Sequence, residues 1–443
     1  MEISALFTDL YELTMAQAYT VERMNETAVF ELAFRKLPGG CNYVVSAGLG
    51  DVLEFLASLR FSDDDVDYLR STFGFPAPFL ARLKSLRFTG DVFALPEGTL
   101  VFPHEPVVQV RAPILEAQLV ETLVLNQIHF QSLAATKAAR IVEAAKGRSV
   151  VDFGSRRAHG VDAALKVARA TYLAGGTGTS NVLAGRLYGI PVFGTMAHSY
   201  IQAHDCEGDA FRAFAGLYPE TTLLVDTYET LEGVRKVIAL SRRLGDAFHV
   251  QAIRLDSGDL GALAVEARRL LNEAGLARVT IFASSSLDEY EVQKLVASGA
   301  PIDAFGVGTK LAVMDGASHL DMAYKLVEYG GKPRLKLSSS KVLYPGPKQV
   351  FRQSRNGTYS GDIIGRFDET LPGKPLLMPV MRAGMPLTSV NLHDSRKRLR
   401  LELSRLAPAL RELDAAEAPY PVTFSDRLRG DLDRFTGHLA RCA

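Results

Sequence analysis

No tryptophan occurs among the 443 residues, and cysteine is nearly as scarce: Cys41, Cys206 and Cys442 stand far apart. An odd count without Cys-x-x-Cys spacing argues against a disulfide framework or a cysteine-rich zinc site. Net charge is missing too. Lys plus Arg is 50 and Asp plus Glu is 50, which argues against a protein built to coat nucleic acid or an anionic membrane, while permitting a local basic pocket. No stretch approaches the roughly 20 uninterrupted apolar residues of a membrane helix. The opening MEISALFTDLYELTMAQAY carries acids early and no basic leader, so a cytoplasmic chain without a secretion signal is expected.

What is present is an ordinary globular composition, 47% apolar and 23% charged, over a length that suggests two or three domains. The first 112 residues read as a mixed α/β domain. Thr8–Tyr19 is predicted helical, Val29–Phe34 a strand and Leu49–Leu59 a helix. Ser62 reads as an N-cap, with Asp63, Asp64 and Asp65 in the following first turn. Short strands are expected across residues 87–112, then a helical run from Pro113 to Lys146.

From residue 148 short apolar runs alternate with amphipathic stretches. The runs are Ser149–Phe153, Thr171–Ala174, Pro191–Gly194, Thr222–Asp226, Val250–Leu255, Val279–Ala283 and Ile302–Val307. This spacing implies βα units around a parallel sheet. Such a number of units suggests a closed barrel; an open doubly wound sheet is the alternative. The predicted fold class is α/β, an irregular, TIM-like βα barrel over residues 113–329 beside the N-terminal α/β domain. Residues 330–443, opening with a basic, turn-rich segment, are expected to return to that first domain and to end in helices.

In βα barrels the active site lies at the C-terminal ends of the strands, and the unusual residues of this sequence fall there. Gly175–Ser180 and Phe305–Thr309 have the composition of phosphate cradles, although helix capping produces such turns as well. Arg156, Arg157 and Arg254 are candidate anion binders; Arg254 lies inside the apolar run VQAIRL, where a charge must be paired. His198, at a predicted strand end, is the candidate nucleophile or base, with Asp226 as partner for one ring nitrogen and His159 and His204 as rivals. Asp256 and Asp259 in RLDSGD suit Mg²⁺ carrying a pyrophosphate or the stabilisation of a developing positive charge, with a simple loop cap as the competing reading.

The motifs TDLYELTMAQAY (8–19), FGSRRAHG (153–160), GTSN (178–181), GTMAHSY (194–200), RLDSGDL (254–260) and FGVGT (305–309) together resemble nicotinate phosphoribosyltransferase, a type II phosphoribosyltransferase. The resemblance implies that nicotinate is joined to 5-phosphoribosyl-1-pyrophosphate, giving nicotinate mononucleotide and pyrophosphate for NAD synthesis. It also implies Mg²⁺, ATP as co-substrate through a phosphorylated histidine, and a homodimer with shared active sites. On this resemblance His198 is the phosphorylated histidine and Asp226 its orienting carboxylate. Asp256 lies near the reacting ribose. Tyr11 reaches a partner subunit's site and stacks on the pyridine ring, whose other face meets Phe153. Thr195 and Arg254 contact nicotinate, Arg156 binds a phosphate, and Gly308 and Thr309 belong to the 5-phosphate cradle.

The motifs are also similar to nicotinamide phosphoribosyltransferase, which has an aspartate where this chain has Gly178. An acid there would repel the nicotinate carboxylate by about 4 kcal/mol at an effective dielectric of 20, so Gly178 favours the acid substrate. The alternatives are a nicotinamide or quinolinate transferase of the same fold, or a non-catalytic nucleotide-binding barrel.

Overall fold

The structure, a computed structural model, describes residues 3–336 and 344–442, with the side chains of 437–442 left aside. Residues 337–343 of the basic segment and the Cys442 side chain lie outside the described residues. Contacts divide the chain into two compact units, Met1–Leu133 with His319–Ala443, and Ala134–Ser318. The expected boundary at 329 falls later than this division because Met322–Tyr329 is a strand of the first unit, antiparallel to Thr27–Phe34.

The first unit is built on a seven-stranded antiparallel sheet. Its order is Lys332–Pro333, Met322–Tyr329, Thr27–Phe34, Pro106–Pro113, Asp91–Ala94, Met378–Arg382, Met385–Pro386. The chain after residue 319 thus supplies both flanks of a sheet whose centre comes from the first 113 residues. Ser62 caps Asp63–Phe73 through a capping box, its side chain accepting from the Asp65 N–H while the Asp65 carboxylate accepts from the Ser62 N–H. The acidic run there is a helix start. The predicted continuous helix from Pro113 is two helices, Ile114–Leu119 and Glu121–Ala144, broken at Val120. The terminal helices are Leu392–Arg405 and Asp426–Cys442.

The second unit carries a six-stranded parallel sheet. The order is Gly178–Thr179, Ser149–Asp152, Ala304–Val307, Thr280–Ser284, Ala252–Leu255, Thr222–Leu224. An isolated parallel bridge, Thr179 to Val192, adds a further segment beside Gly178–Thr179. Read from that segment, the strands follow one another in the cyclic order of the sequence, as in a barrel. Among the described residues no ladder joins the Val192 segment to Thr222–Leu224, so the barrel is irregular, with one unlaced seam.

Two strand predictions require correction. Thr171–Ala174 is the end of the helix Val161–Leu173, and the strand comes later, at Gly178–Thr179. The helix wins because Ala164, Leu165, Val167, Ala168, Ala170 and Leu173 already form its buried face. It stops where Gly175 takes φ +110°. Pro191–Gly194 contributes only the bridge at Val192.

Candidate active site

The parallel register aligns the strand ends. Arg254 is level with Leu224 and Phe282, and Gly306 with Val151 and Ser284. Side chains at the ends of four different strands therefore meet. Gly306 is required where it stands: a Cβ there would fall 2.7–2.8 Å from the rings of Phe282 and Phe153. Those rings stack on each other at 5.5 Å.

Arg254 organises the centre. Its Nε donates to Ser284 Oγ at 3.0 Å, and its Nη1 donates to Thr195 Oγ1 at 2.9 Å and Met196 O at 3.4 Å. Nη2 pairs with Asp256 Oδ2 at 3.0 Å, and the guanidinium carbon lies 5.8 Å from the centre of the Phe153 ring. The charge inside the apolar run is thus paired, as burial demands. Asp256 is a hub. Its Oδ1 accepts from Ser284 Oγ at 2.5 Å, and Oδ2 faces both Arg254 and, at 3.6 Å, His198 Nε2. His198 begins the short helix His198–Gln202 and is half-exposed.

Asp226 does not meet the expectation of orienting His198. Nδ1 of His198 lies 3.1 Å from Thr227 Oγ1. Asp226, buried, instead accepts on Oδ2 from the Asp256 N–H at 3.1 Å and Ser257 Oγ at 2.5 Å. It therefore fixes the backbone that carries Asp256. Its Oδ1 is buried without a hydrogen-bond partner.

Asp259 caps the helix Leu260–Glu273, its Oδ1 accepting from the Ala262 N–H at 3.1 Å. The cap, the competing reading of that residue, accounts for this oxygen. Arg156 is exposed on the one-turn 3₁₀ segment Ser155–Arg157. Gly308 precedes the one-turn helix Thr309–Ala312, and Thr309 is exposed. Of the two glycine-rich corners, Gly175 and Gly176 sit at the N-terminal end of their strand, away from Phe153, because Thr177 N–H already bonds Val150 O. They close the helix Val161–Leu173, while Gly178–Ser180 of the same corner lie on the strand and at its C-terminal end.

Gly178 is buried for a reason that charge alone did not suggest. A Cβ there would stand 2.3 Å from Pro191 O and 2.7 Å from the Phe193 ring. Tyr11 belongs to the other unit, half-exposed on the helix Leu10–Val21. Partial burial and the neighbouring Glu121, Glu12 and Asp9 carboxylates hold its phenol well above the ordinary range.

Asp152 was missed. It is fully buried, its Oδ1 accepting from the Gly154 N–H and its Oδ2 from Thr179 Oγ1, both at 2.7 Å. Burial raises its carboxyl against those bonds. It joins the turn that carries Phe153 and Arg156 to the strand that carries Gly178. The signal was available, since Asp152 breaks an apolar run as Arg254 does.

Comparison with known proteins places this geometry in a family. The model described as the nicotinate phosphoribosyltransferase N-terminal domain matches residues 6–129, and that of the nicotinate phosphoribosyltransferase family matches residues 148–341. A nicotinate phosphoribosyltransferase of Mycobacterium tuberculosis is 58% identical over 434 residues, covering 98% of this chain and 94% of the relative. One from Bacillus subtilis is 44% identical over 375 residues, covering 82% and 76%. The crystal structure of human nicotinic acid phosphoribosyltransferase superposes with a TM-score of 0.87 at 31% identity, covering 96% of this chain and 99% of that one. The chain belongs to the nicotinate phosphoribosyltransferase family, a family of enzymes of NAD biosynthesis.

Proposed function

We propose that this chain transfers the phosphoribosyl group of 5-phosphoribosyl-1-pyrophosphate to the ring nitrogen of nicotinate, and that ATP hydrolysis is coupled to the transfer through phosphorylated His198. The observation that carries the reading is the convergence of Arg254, Asp256 and His198 beside Phe153. Arg254 is the cation for the nicotinate carboxylate, oriented by Thr195 and Ser284. Phe153, backed by Phe282, supplies an apolar face for the pyridine. Asp256 stabilises the positive character that grows at ribose C1 as the pyrophosphate departs. The attacking nitrogen carries no proton in the reactive form, so no general base is required and His198 is free to accept phosphate. Arg156, Gly308 and Thr309 are assigned to phosphate binding, and Tyr11 to the second ring face within a homodimer with shared sites. The chain is assigned to the cytoplasm; no helix among the described residues is long and apolar enough to cross a membrane.

Magnesium is assigned to the pyrophosphate rather than to a resident centre. Among the described residues no three His, Cys, Asp or Glu side chains form a metal-binding group. Both Asp256 oxygens are engaged, and Asp259 is a helix cap.

Labelling tests the coupling. With γ-labelled ATP, acid-labile label is expected on the wild type and not on His198→Ala, which should retain weak ATP-independent synthesis. Equal labelling of the two proteins would remove His198 from this role.

A further inference from the structure

Tyr11 is flanked in sequence by a carboxylate that the catalytic reading leaves unused. Glu12 is completely buried. Its Oε2 accepts from Thr8 Oγ1, and its Oε1 accepts from the Thr122 N–H at 3.1 Å. The Thr122 hydroxyl lies 2.6 Å from Glu12 Oε1 and 2.5 Å from Asp9 Oδ2. That hydroxyl owns one proton and can donate to one carboxylate only. Two ionised carboxylates at these distances would leave one pair of oxygens in contact with no hydrogen between them. A second proton must reside in the chain Glu12–Thr122–Asp9. It belongs on Glu12, the buried end, because Asp9 is solvent-exposed.

We infer that Glu12 is a neutral carboxylic acid that donates to the Thr122 hydroxyl, which donates onward to Asp9, and that this chain is the positioning device for Tyr11. The inference rests on the reading of Tyr11 as a contact to the substrate ring. The chain fastens the first turn of Leu10–Val21 to the start of Glu121–Ala144, and Tyr11 lies between its two carboxylates. The Tyr11 phenol faces the Glu121 carboxylate, which accepts from Gln118 Nε2 at 2.7 Å. The groups that face Glu12 are Asp9 from the preceding turn, Glu121 from the opposite helix, and Tyr324 from the strand Met322–Tyr329; Lys325 of that strand offsets Glu121. Ionised Glu12 would stand as a third carboxylate among Asp9 and Glu121, without the proton that bridges to Thr122. Burial pushes the Glu12 carboxyl up to about 7, so the proton leaves as pH rises through neutrality and the fastening loosens on the alkaline side.

The test is KM for nicotinate against pH, with kcat recorded separately. The wild-type KM is expected to rise about tenfold between about pH 6 and pH 8.5, with kcat changing less. Glu12→Gln, which mimics the neutral acid, should hold the low value throughout. Thr122→Val should raise KM at every pH. The proton itself is read independently of substrate by infrared difference spectroscopy: a protonated-carboxyl band at about pH 6 present in wild type and absent from Glu12→Gln. Tyr11→Ala separates the two layers. An unchanged nicotinate KM in that variant would overturn the substrate role of Tyr11, whereas the infrared band would still report the proton. A Glu12→Gln enzyme that keeps the wild-type pH dependence of KM, or the absence of the band difference, would overturn the inference on Glu12.

Discussion

Arg254 and Asp256 lie two residues apart and form an ion pair at 3.0 Å across the end of one strand. The pair means that the cation assigned to the nicotinate carboxylate is already compensated before substrate arrives. Removing its partner should therefore split the kinetic parameters. Asp256→Asn is expected to lower kcat strongly while leaving the nicotinate KM unchanged or lower, because Arg254 is then freer to hold the substrate. Arg254→Lys cannot bond Thr195, Ser284 and Asp256 together, since only the guanidinium presents a fixed fork. Losing two charge-assisted bonds of about 1.5–3 kcal/mol each predicts at least a roughly hundredfold fall in kcat/KM. Steady-state kinetics on both variants check this, and equal effects on KM and kcat in Asp256→Asn would contradict it.

Packing requires glycine at position 178, beside the role in charge selectivity proposed for it. Any side chain must displace Pro191 O or the Phe193 ring. Gly178→Ala is expected to cost about 1–3 kcal/mol of stability and to depress nicotinate and nicotinamide turnover alike. Gly178→Asp should add a shift of the ratio towards nicotinamide. Melting curves and kcat/KM for both substrates on both variants separate the effects. The same ratio in Ala and Asp variants would leave charge without a role.

Much of this site was legible because a charge in an apolar run demands a partner. That reasoning singled out Arg254 from VQAIRL, and applied to Asp152 it would have found the link between Phe153 and Gly178. The partner of His198 was not legible. Asp226 and Thr227 are adjacent, and which of them faces the imidazole depends on how the strand end turns. The barrel was legible from the alternation of apolar runs and helices. The second strand was misplaced because Thr171 and Tyr172 favour strands as isolated residues, while a buried helix face overrides that preference.

The proposed sharing of each site between two subunits is tested by complementation. Tyr11→Ala and Arg254→Ala homodimers should each be nearly inactive. Mixed and allowed to exchange subunits, they should regain part of the wild-type activity, since one hybrid site then carries both native residues. Exchange confirmed by mass with no recovered activity would count against Tyr11 acting across subunits.

Arg352 holds the first unit together by charge. It is buried with Asp362, Glu402 and Glu105, pairing with Asp362 Oδ2 and Glu402 Oε2 at 2.7 Å each. Arg352→Met would leave three buried carboxylates uncompensated, at a cost of about 3–5 kcal/mol. Burial, then the adjacent Asp362, already raise the Glu105 carboxyl. In the variant the native state would bind more protons than the unfolded state, so its stability should increase as pH falls from neutral towards about 5. Denaturant midpoints across that range test the sign; a midpoint that decreases as the pH is lowered would contradict it.

The most direct measurement is kcat/KM with 5-phosphoribosyl-1-pyrophosphate for nicotinate, nicotinamide and quinolinate. The proposed Arg254 contact to a single carboxylate predicts nicotinate ahead of nicotinamide by roughly tenfold to more than a hundredfold, with no carbon dioxide released from quinolinate. A preference for nicotinamide, or carbon dioxide formed from quinolinate at a comparable rate, would contradict the account.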